Sequence, residues 1–169
     1  MTLAGWENFY VIVGSAAGAL TGLMFVVIAL TRDLQRSSTP HARRSFATPT
    51  IVHFTTALSL AAVLSMPRLT RGALGAILLT VGALSLAYVG WIFYHQRRIE
   101  VYQPDLEDKL FHVLFPGLAY ASILVAGAST WAATSTALYI VGASMLSLVI
   151  IGIHNAWDSA VWMVMRSGS

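Results

Sequence analysis

The sequence predicts an all-α fold, a polytopic integral membrane bundle of five transmembrane helices with the N-terminus outside and the C-terminus inside. Hydrophobic residues make up 57% of the 169 residues and charged residues only 10%, whereas a soluble domain carries about 25% charged residues. So few charges cannot cover a water-facing surface, and most of the surface is therefore expected to face lipid. Five apolar runs of roughly 20 residues each match the length of a helix that crosses a bilayer. We expect a single transmembrane domain over residues 1–169.

The first two predicted spans are 9–30 and 46–66. The first contains no charged residue, and it follows Trp6, whose ring favours the headgroup layer of a bilayer. A polar loop separates the two spans, and Pro40 at its end suits the first turn of the second helix. Because Pro49 lacks a backbone donor, a bend or local unwinding is expected near the start of the second span.

The remaining predicted spans are 72–94, 110–128 and 136–156. A short turn at 67–71 precedes the third span, and a polar segment that contains a proline separates the third span from the fourth. Pro116 falls inside the fourth span and predicts a kink there. A short and mostly polar turn then leads to the fifth span, whose helix is expected to continue along the inner interface.

The orientation follows from the distribution of the ten Lys and Arg residues. With the N-terminus outside, only Arg68 and Arg71 lie in outer loops. The other eight are then cytoplasmic: Arg32, Arg36, Arg43, Arg44, Arg97, Arg98, Lys109 and Arg166. This is the positive-inside pattern, and it explains the net charge of +3 without nucleic-acid binding. The first eight residues contain no Lys or Arg, so no cleavable signal peptide is expected.

Glycines repeat at intervals of four in the first span, at Gly14, Gly18 and Gly22. Residues four apart share one face of a helix, so the three glycines form a flat stripe that another backbone can approach closely. In lipid, where apolar burial no longer drives association, close packing of this kind does. The glycine stripe predicts a tight helix contact, either within the subunit or at the interface of a homo-oligomer.

Histidines mark the predicted cytoplasmic half of the bundle. One lies on each of the last four helices: His53, His95, His112 and His154. Asp108 precedes His112 by four residues and Asp158 follows His154 by four, so each carboxylate shares a helix face with an imidazole. Polar groups are costly inside a bilayer, and they usually face the bundle interior and mark function. His53 is the deepest of the set and the strongest single candidate.

Three interpretations of these side chains remain open. They could bind a divalent transition metal or haem, with His53, His112, His154, Asp158 and Asp108 as the candidate ligands. They could line a polar vestibule that relays protons, or they could only satisfy one another at the interface. No compact metal-binding spacing such as HExxH occurs, and the lack of cysteine excludes a thiolate site.

The leading functional hypothesis is an oligomeric channel or small-ion transporter with a histidine-containing cytoplasmic vestibule. Its expected partners are the lipid bilayer and further copies of the same chain. The alternatives are a metal- or haem-binding membrane protein and a membrane scaffold that modulates a partner protein. No spacing of Ser, His and Asp singles out a catalytic arrangement, so the sequence leans away from an enzyme without deciding the matter.

The opening segment also resembles a known group of proteins. Trp6–Tyr10, with the sequence WENFY, and Gly14–Val26, with the sequence GSAAGALTGLMFV, are similar to a family of small uncharacterised polytopic bacterial membrane proteins. The resemblance is limited to the first transmembrane segment. It implies a bacterial inner-membrane location, and it implies no activity and no functional residue.

Overall fold

The computed structural model describes residues 5–30, 40–96 and 106–167. The elements are α1 (Glu7–Leu30), α2 (Pro40–Leu64), α3 (Arg71–Gln96), α4 (Leu106–Lys109), a π-helical segment (Leu110–Leu114), α5 (Phe115–Ser129) and α6 (Thr134–Ser167). No strand occurs within these ranges, and the predicted all-α fold is confirmed. The predictions for some residues lie outside the described part of the chain: Arg32, Arg36, Arg97 and Arg98, and the side chains of Arg43, Arg44, His95, Asp108 and Arg166.

The helices form an up-and-down bundle with α6 at its centre. α1 packs on α2, α2 on α6, α6 on α5, and α5 on α3, while α6 also contacts α1. In the apolar part of α6, 56% of the residues are buried, against 22% in α1. We call the end of the bundle where α2 begins and α3 ends the proximal end. The start of α4 and the later part of α6 also lie there.

Four helices in the described part of the chain are long and apolar enough to cross a membrane, namely Glu7–Leu30, Arg71–Tyr94, Leu110–Ser129 and Thr134–Val161. They correspond to the first, third, fourth and fifth predicted spans. The second predicted span begins among residues whose side chains lie outside the description, and its described part is the apolar helix Thr48–Leu64. The predicted count of five crossings stays a prediction.

The outer surface of the bundle is apolar over most of its height. Large hydrophobic side chains such as Ile12, Phe25 and Leu84 are each at least 60% exposed. A soluble monomer rarely exposes a continuous apolar surface of this kind. Hydroxyl side chains within the helices turn inward on their own backbone, bonding to the carbonyl four residues earlier, as Thr80 and Ser147 do. Both features suit helices whose solvent is lipid.

Small residues set the closest helix contacts. A Cβ built on Gly82 of α3 would come within 2.9 Å of the Leu124 backbone of α5, and one built on Gly127 of α5 within 2.8 Å of the Leu79 backbone of α3. The two glycines therefore let the backbones of α3 and α5 touch, which is how helices gain packing energy in lipid.

The predicted disturbance at Pro116 takes the form of the π-helical segment. Phe115 donates its N–H to the carbonyl of Leu110, five residues earlier. The next bond in this register would run from residue 116 to the carbonyl of Phe111, but proline has no N–H to donate. The side-chain amide of Asn155 on α6 fills the position, with Nδ2 at 3.3 Å from the Phe111 oxygen. The irregular turn is thus stabilised from the neighbouring helix.

Candidate functional site

A hydrogen bond joins two fully buried polar side chains in the core of the bundle. Nδ1 of His53 on α2 lies 2.7 Å from the hydroxyl oxygen of Tyr120 on α5. His53 is 1% exposed and Tyr120 0% exposed. Around them the core consists largely of aliphatic and aromatic side chains, among them Phe54 and Ile123. An imidazole in such a place needs a partner, because an unpaired polar group in an apolar medium costs several kcal/mol, roughly 2–7 by transfer data.

The other ring nitrogen of His53 is buried as well. Nε2 has no hydrogen-bond partner among the described residues. Three residues further along α2, the Thr56 hydroxyl donates to the carbonyl of Val52 at 2.8 Å.

An open groove of about 280 Å³ runs along α2. Its walls carry three hydroxyl side chains of α2 among apolar ones, and α3 contributes one residue. The lining residues are Ile51, Val52, Thr55, Thr56, Ser59 and Val81. Thr56 follows His53 by three residues, so the groove lies along the helix that carries the buried imidazole.

His112 is a second buried histidine. It sits in the π-helical segment, is 5% exposed, and lies close enough to His53 for like charges on the two rings to repel. Two of the predicted candidates, from different helices, thus lie in the interior of the bundle. We call His53, Tyr120 and His112 the buried polar cluster.

His154 belongs to a second group, nearer the surface of the proximal end. Its Nε2 lies 3.4 Å from Oε1 of Glu107 on α4 and 3.4 Å from Oδ2 of Asp158 on α6. The three atoms all lie within 4.8 Å of one another, and no other group of three possible metal ligands occurs in the described part of the chain. The His154 side chain is 25% exposed, and those of Glu107 and Asp158 are 66% and 48% exposed.

Phe111 holds the imidazole of His154 in place. The two rings stack with their centroids 3.5 Å apart and an angle of 20° between their planes. Glu107 precedes Phe111 by four residues, so both meet His154 from one face of the chain. The carbonyl of Phe111 is fixed in turn by Asn155, the residue after His154. The irregular turn before Pro116 thereby positions the three-residue group, which we call the carboxylate–histidine triad.

The predicted ligands thus fall into two groups instead of one. His53 and His112 are in the buried polar cluster, His154 and Asp158 are in the triad, and the side chain of Asp108 is outside the described part of the chain.

Three participants were not predicted from the sequence. Glu107, Tyr120 and Asn155 were not singled out as candidates. A lone tyrosine or asparagine within an apolar span is the signal that points to the last two, because its polar atoms need a partner there.

The three glycines of the predicted stripe differ in their surroundings. A Cβ built on Gly14 would come within 2.8 Å of the Ala61 Cβ on α2, and one on Gly18 would make ordinary contact with Leu58 at 3.8 Å. Nothing in the described structure lies within 4 Å of a Cβ on Gly22. The first glycine therefore serves packing within the chain, and the third faces outward.

No protein-family model, curated protein or solved structure matches this chain. The resemblance of its first segment to small bacterial membrane proteins stays a prediction.

Proposed function

We propose that this protein is an oligomeric channel or small transporter that passes a small cation through a polar vestibule at its proximal end. The observation that carries the proposal is the buried hydrogen bond between His53 and Tyr120. Core packing alone does not require this hydrogen bond. A pair of apolar side chains of similar size would fill the same volume without removing an imidazole and a phenol from water. Polar side chains retained at such depth in a membrane bundle usually serve a pathway for ions or protons.

The buried polar cluster has the chemistry that a proton or small cation requires. Nε2 of His53 has no hydrogen-bond partner among the described residues. Nδ1 is paired with the Tyr120 hydroxyl, and Thr56, on the same helix as His53, lines the groove. The imidazole can accept a proton at one nitrogen and release one from the other, which is the basis of histidine proton relays. His112 and Tyr120 are the titratable side chains that face it.

The proposed topology has five crossings, with the N-terminus outside and the proximal end in the cytoplasm of a bacterial inner membrane. α2 is included among the crossing helices because it packs between α1 and α6 in the bundle. The positive-inside rule sets the orientation, since eight of ten basic residues then face the cytoplasm.

Flux in proteoliposomes tests the proposed function. A trapped pH dye and a K⁺-diffusion potential report proton flux as the external pH falls from about 8 to about 6, the range in which histidine changes charge. We expect flux above that of empty vesicles, dependent on pH, and lost in His53→Gln. Tyr139→Phe, at a tyrosine that is 69% exposed, is the matched control and should conduct as the parent does. Absence of proton and K⁺ flux at every pH would reject the proposal.

The proposed homo-oligomer has its own test. Five helices in 169 residues leave little material for a pathway inside one subunit, and Gly22 presents an open face on α1. We expect chemical cross-linking of the protein in vesicles to give a discrete ladder above the monomer. A monomer under all cross-linking conditions would contradict the oligomeric part of the proposal and leave the monomeric transporter.

A further inference from the structure

We propose that the carboxylate–histidine triad, Glu107, His154 and Asp158, binds one divalent first-row transition-metal ion. The inference deepens the proposed function, because it names the class of cation met at the proximal end. A role of this metal site in ion flux rests on the proposed function, whereas metal binding itself does not. The geometry, the charge and the environment of His154 each support it.

The geometry matches tetrahedral coordination. Ligand bonds of about 2.1 Å to zinc place neighbouring ligand atoms about 3.4 Å apart at the corners of a tetrahedron. The two nitrogen–oxygen distances of the triad are both 3.4 Å. The two carboxylate oxygens lie within 4.8 Å of each other, and both side chains are exposed enough to rotate inward. Three protein ligands then leave the fourth position to water.

The charge also suits a divalent ion. Two carboxylates supply two negative charges and a neutral imidazole supplies a nitrogen lone pair, so an M²⁺ ion is neutralised by its ligands. A mixed set of imidazole and carboxylate is typical of zinc, iron and manganese sites, whereas magnesium and calcium prefer six or more oxygen ligands. The nitrogen ligand therefore favours a transition metal.

The environment of His154 points its ligand atom at this position. Nε2 is buried, and no hydrogen bond to it is present among the described residues. The ring is clamped against Phe111, so the nitrogen is held between the two carboxylates before any ion arrives. Preorganised ligands lose less conformational entropy on binding. The competing interpretation is an imidazolium that pairs with both carboxylates and needs no metal.

Cobalt distinguishes the two interpretations, since Co²⁺ in a tetrahedral site absorbs strongly in the visible range. The full chain, purified in detergent and stripped of metal, is titrated with Co²⁺ and then with Zn²⁺. We expect one equivalent of Co²⁺ to bind with a tetrahedral spectrum, Zn²⁺ to displace it, and excess Mg²⁺ to leave it bound. A protein without this spectrum, or one in which Mg²⁺ displaces Co²⁺, would overturn the inference in favour of the imidazolium pair.

Substitutions assign the binding to the triad. Glu107→Gln, Asp158→Asn and His154→Ala should each weaken Co²⁺ binding by more than about 10-fold, since even outer-shell changes cost 10–100-fold. Glu7→Gln, an exposed carboxylate at the opposite end of the bundle, is the control and should bind as the parent does. The two isosteric amides lie at exposed positions, so their folding is not at risk. Parental affinity in all three triad variants would overturn the assignment.

Parallel flux measurements keep this inference separate from the proposed function. Metal binding without flux would reject the channel or transporter and keep the site. Flux in a protein that binds no Co²⁺ or Zn²⁺ would reject the site and keep the channel or transporter.

Discussion

The His53–Tyr120 pair shows how an apolar environment limits the hydrogen-bond partners of a single hydroxyl group. In water the Tyr120 hydroxyl would have many partners, but in the core of this bundle it is bonded to His53. Hydrogen bonds between transmembrane helices contribute only modestly to stability, about 0.6 kcal/mol on average and up to about 1.7. The energy gained from this hydrogen bond is therefore small.

Removal of one hydroxyl tests this hydrogen bond. Tyr120→Phe should lower the free energy of unfolding by about 1 kcal/mol, because Nδ1 of the buried His53 is left without its hydrogen-bond partner. Unfolding in mixed micelles by added denaturing detergent measures the difference. Tyr139→Phe removes a hydroxyl from an exposed ring and should change stability by no more than a few tenths of a kcal/mol. Equal stability of the two variants would show that the buried bond contributes nothing.

The sequence predicted the first partner of this pair and not the second. His53 stands out because an imidazole deep in an apolar span is rare and costly. Tyr120 does not, because tyrosine is common near membrane interfaces and its depth depends on where the span begins. The contacts between helices are determined by three-dimensional packing, and they cannot be read directly from a single sequence. Glu107 escaped prediction for the same reason, since its partner His154 lies on another helix.

At the scale of elements, the irregular turn before Pro116 is built by two helices together. The sequence predicted a disturbance at this proline, and the structure has the π-helical segment directly before it. The donor that satisfies the Phe111 carbonyl comes from Asn155 on α6. Pro116 leaves the Phe111 carbonyl without a backbone donor, and the side chain of Asn155 donates to this carbonyl instead.

A double-mutant cycle tests this coupling. Asn155→Leu should cost about 1 kcal/mol of unfolding free energy, because the Phe111 carbonyl loses its donor. In the background of Pro116→Ala, which restores a backbone N–H at residue 116, the same substitution should cost markedly less. The interaction energy expected from the cycle is about 0.5–1 kcal/mol. Strictly additive effects in the detergent unfolding assay would show that the two residues act independently.

The glycine stripe of α1 gives a prediction with opposite signs at two positions. Alanine is intrinsically better than glycine in a helix by about 1 kcal/mol, so Gly22→Ala should be neutral or stabilising at its open position. Gly14→Ala would press a methyl group against Ala61, and such overpacking costs about 1–3 kcal/mol. Unfolding of both variants in micelles is the measurement. If Gly14→Ala is as stable as Gly22→Ala, α1 does not pack on α2 through this residue.

At the scale of the whole molecule, composition and hydrophobic run length predicted the fold class, since both are averages over many residues. The crossing count stays a prediction. Four helices in the described part of the chain are long and apolar enough to span a membrane, and the described apolar part of α2 is Thr48–Leu64. α2 either crosses the bilayer or re-enters on one side. The position of α2 between α1 and α6 favours crossing.

Single-cysteine labelling measures the number and direction of the crossings most directly, because the chain contains no cysteine of its own. Cysteines placed one at a time at the exposed positions Glu7, Met66, Lys109 and Ser135 are treated with a membrane-impermeant maleimide on intact cells. Five crossings with the N-terminus outside predict labelling at positions 7, 66 and 135, and labelling at 109 only after permeabilisation. Labelling at 7 and 109 with protection at 66 and 135 would contradict the account, because α2 would then not cross the membrane.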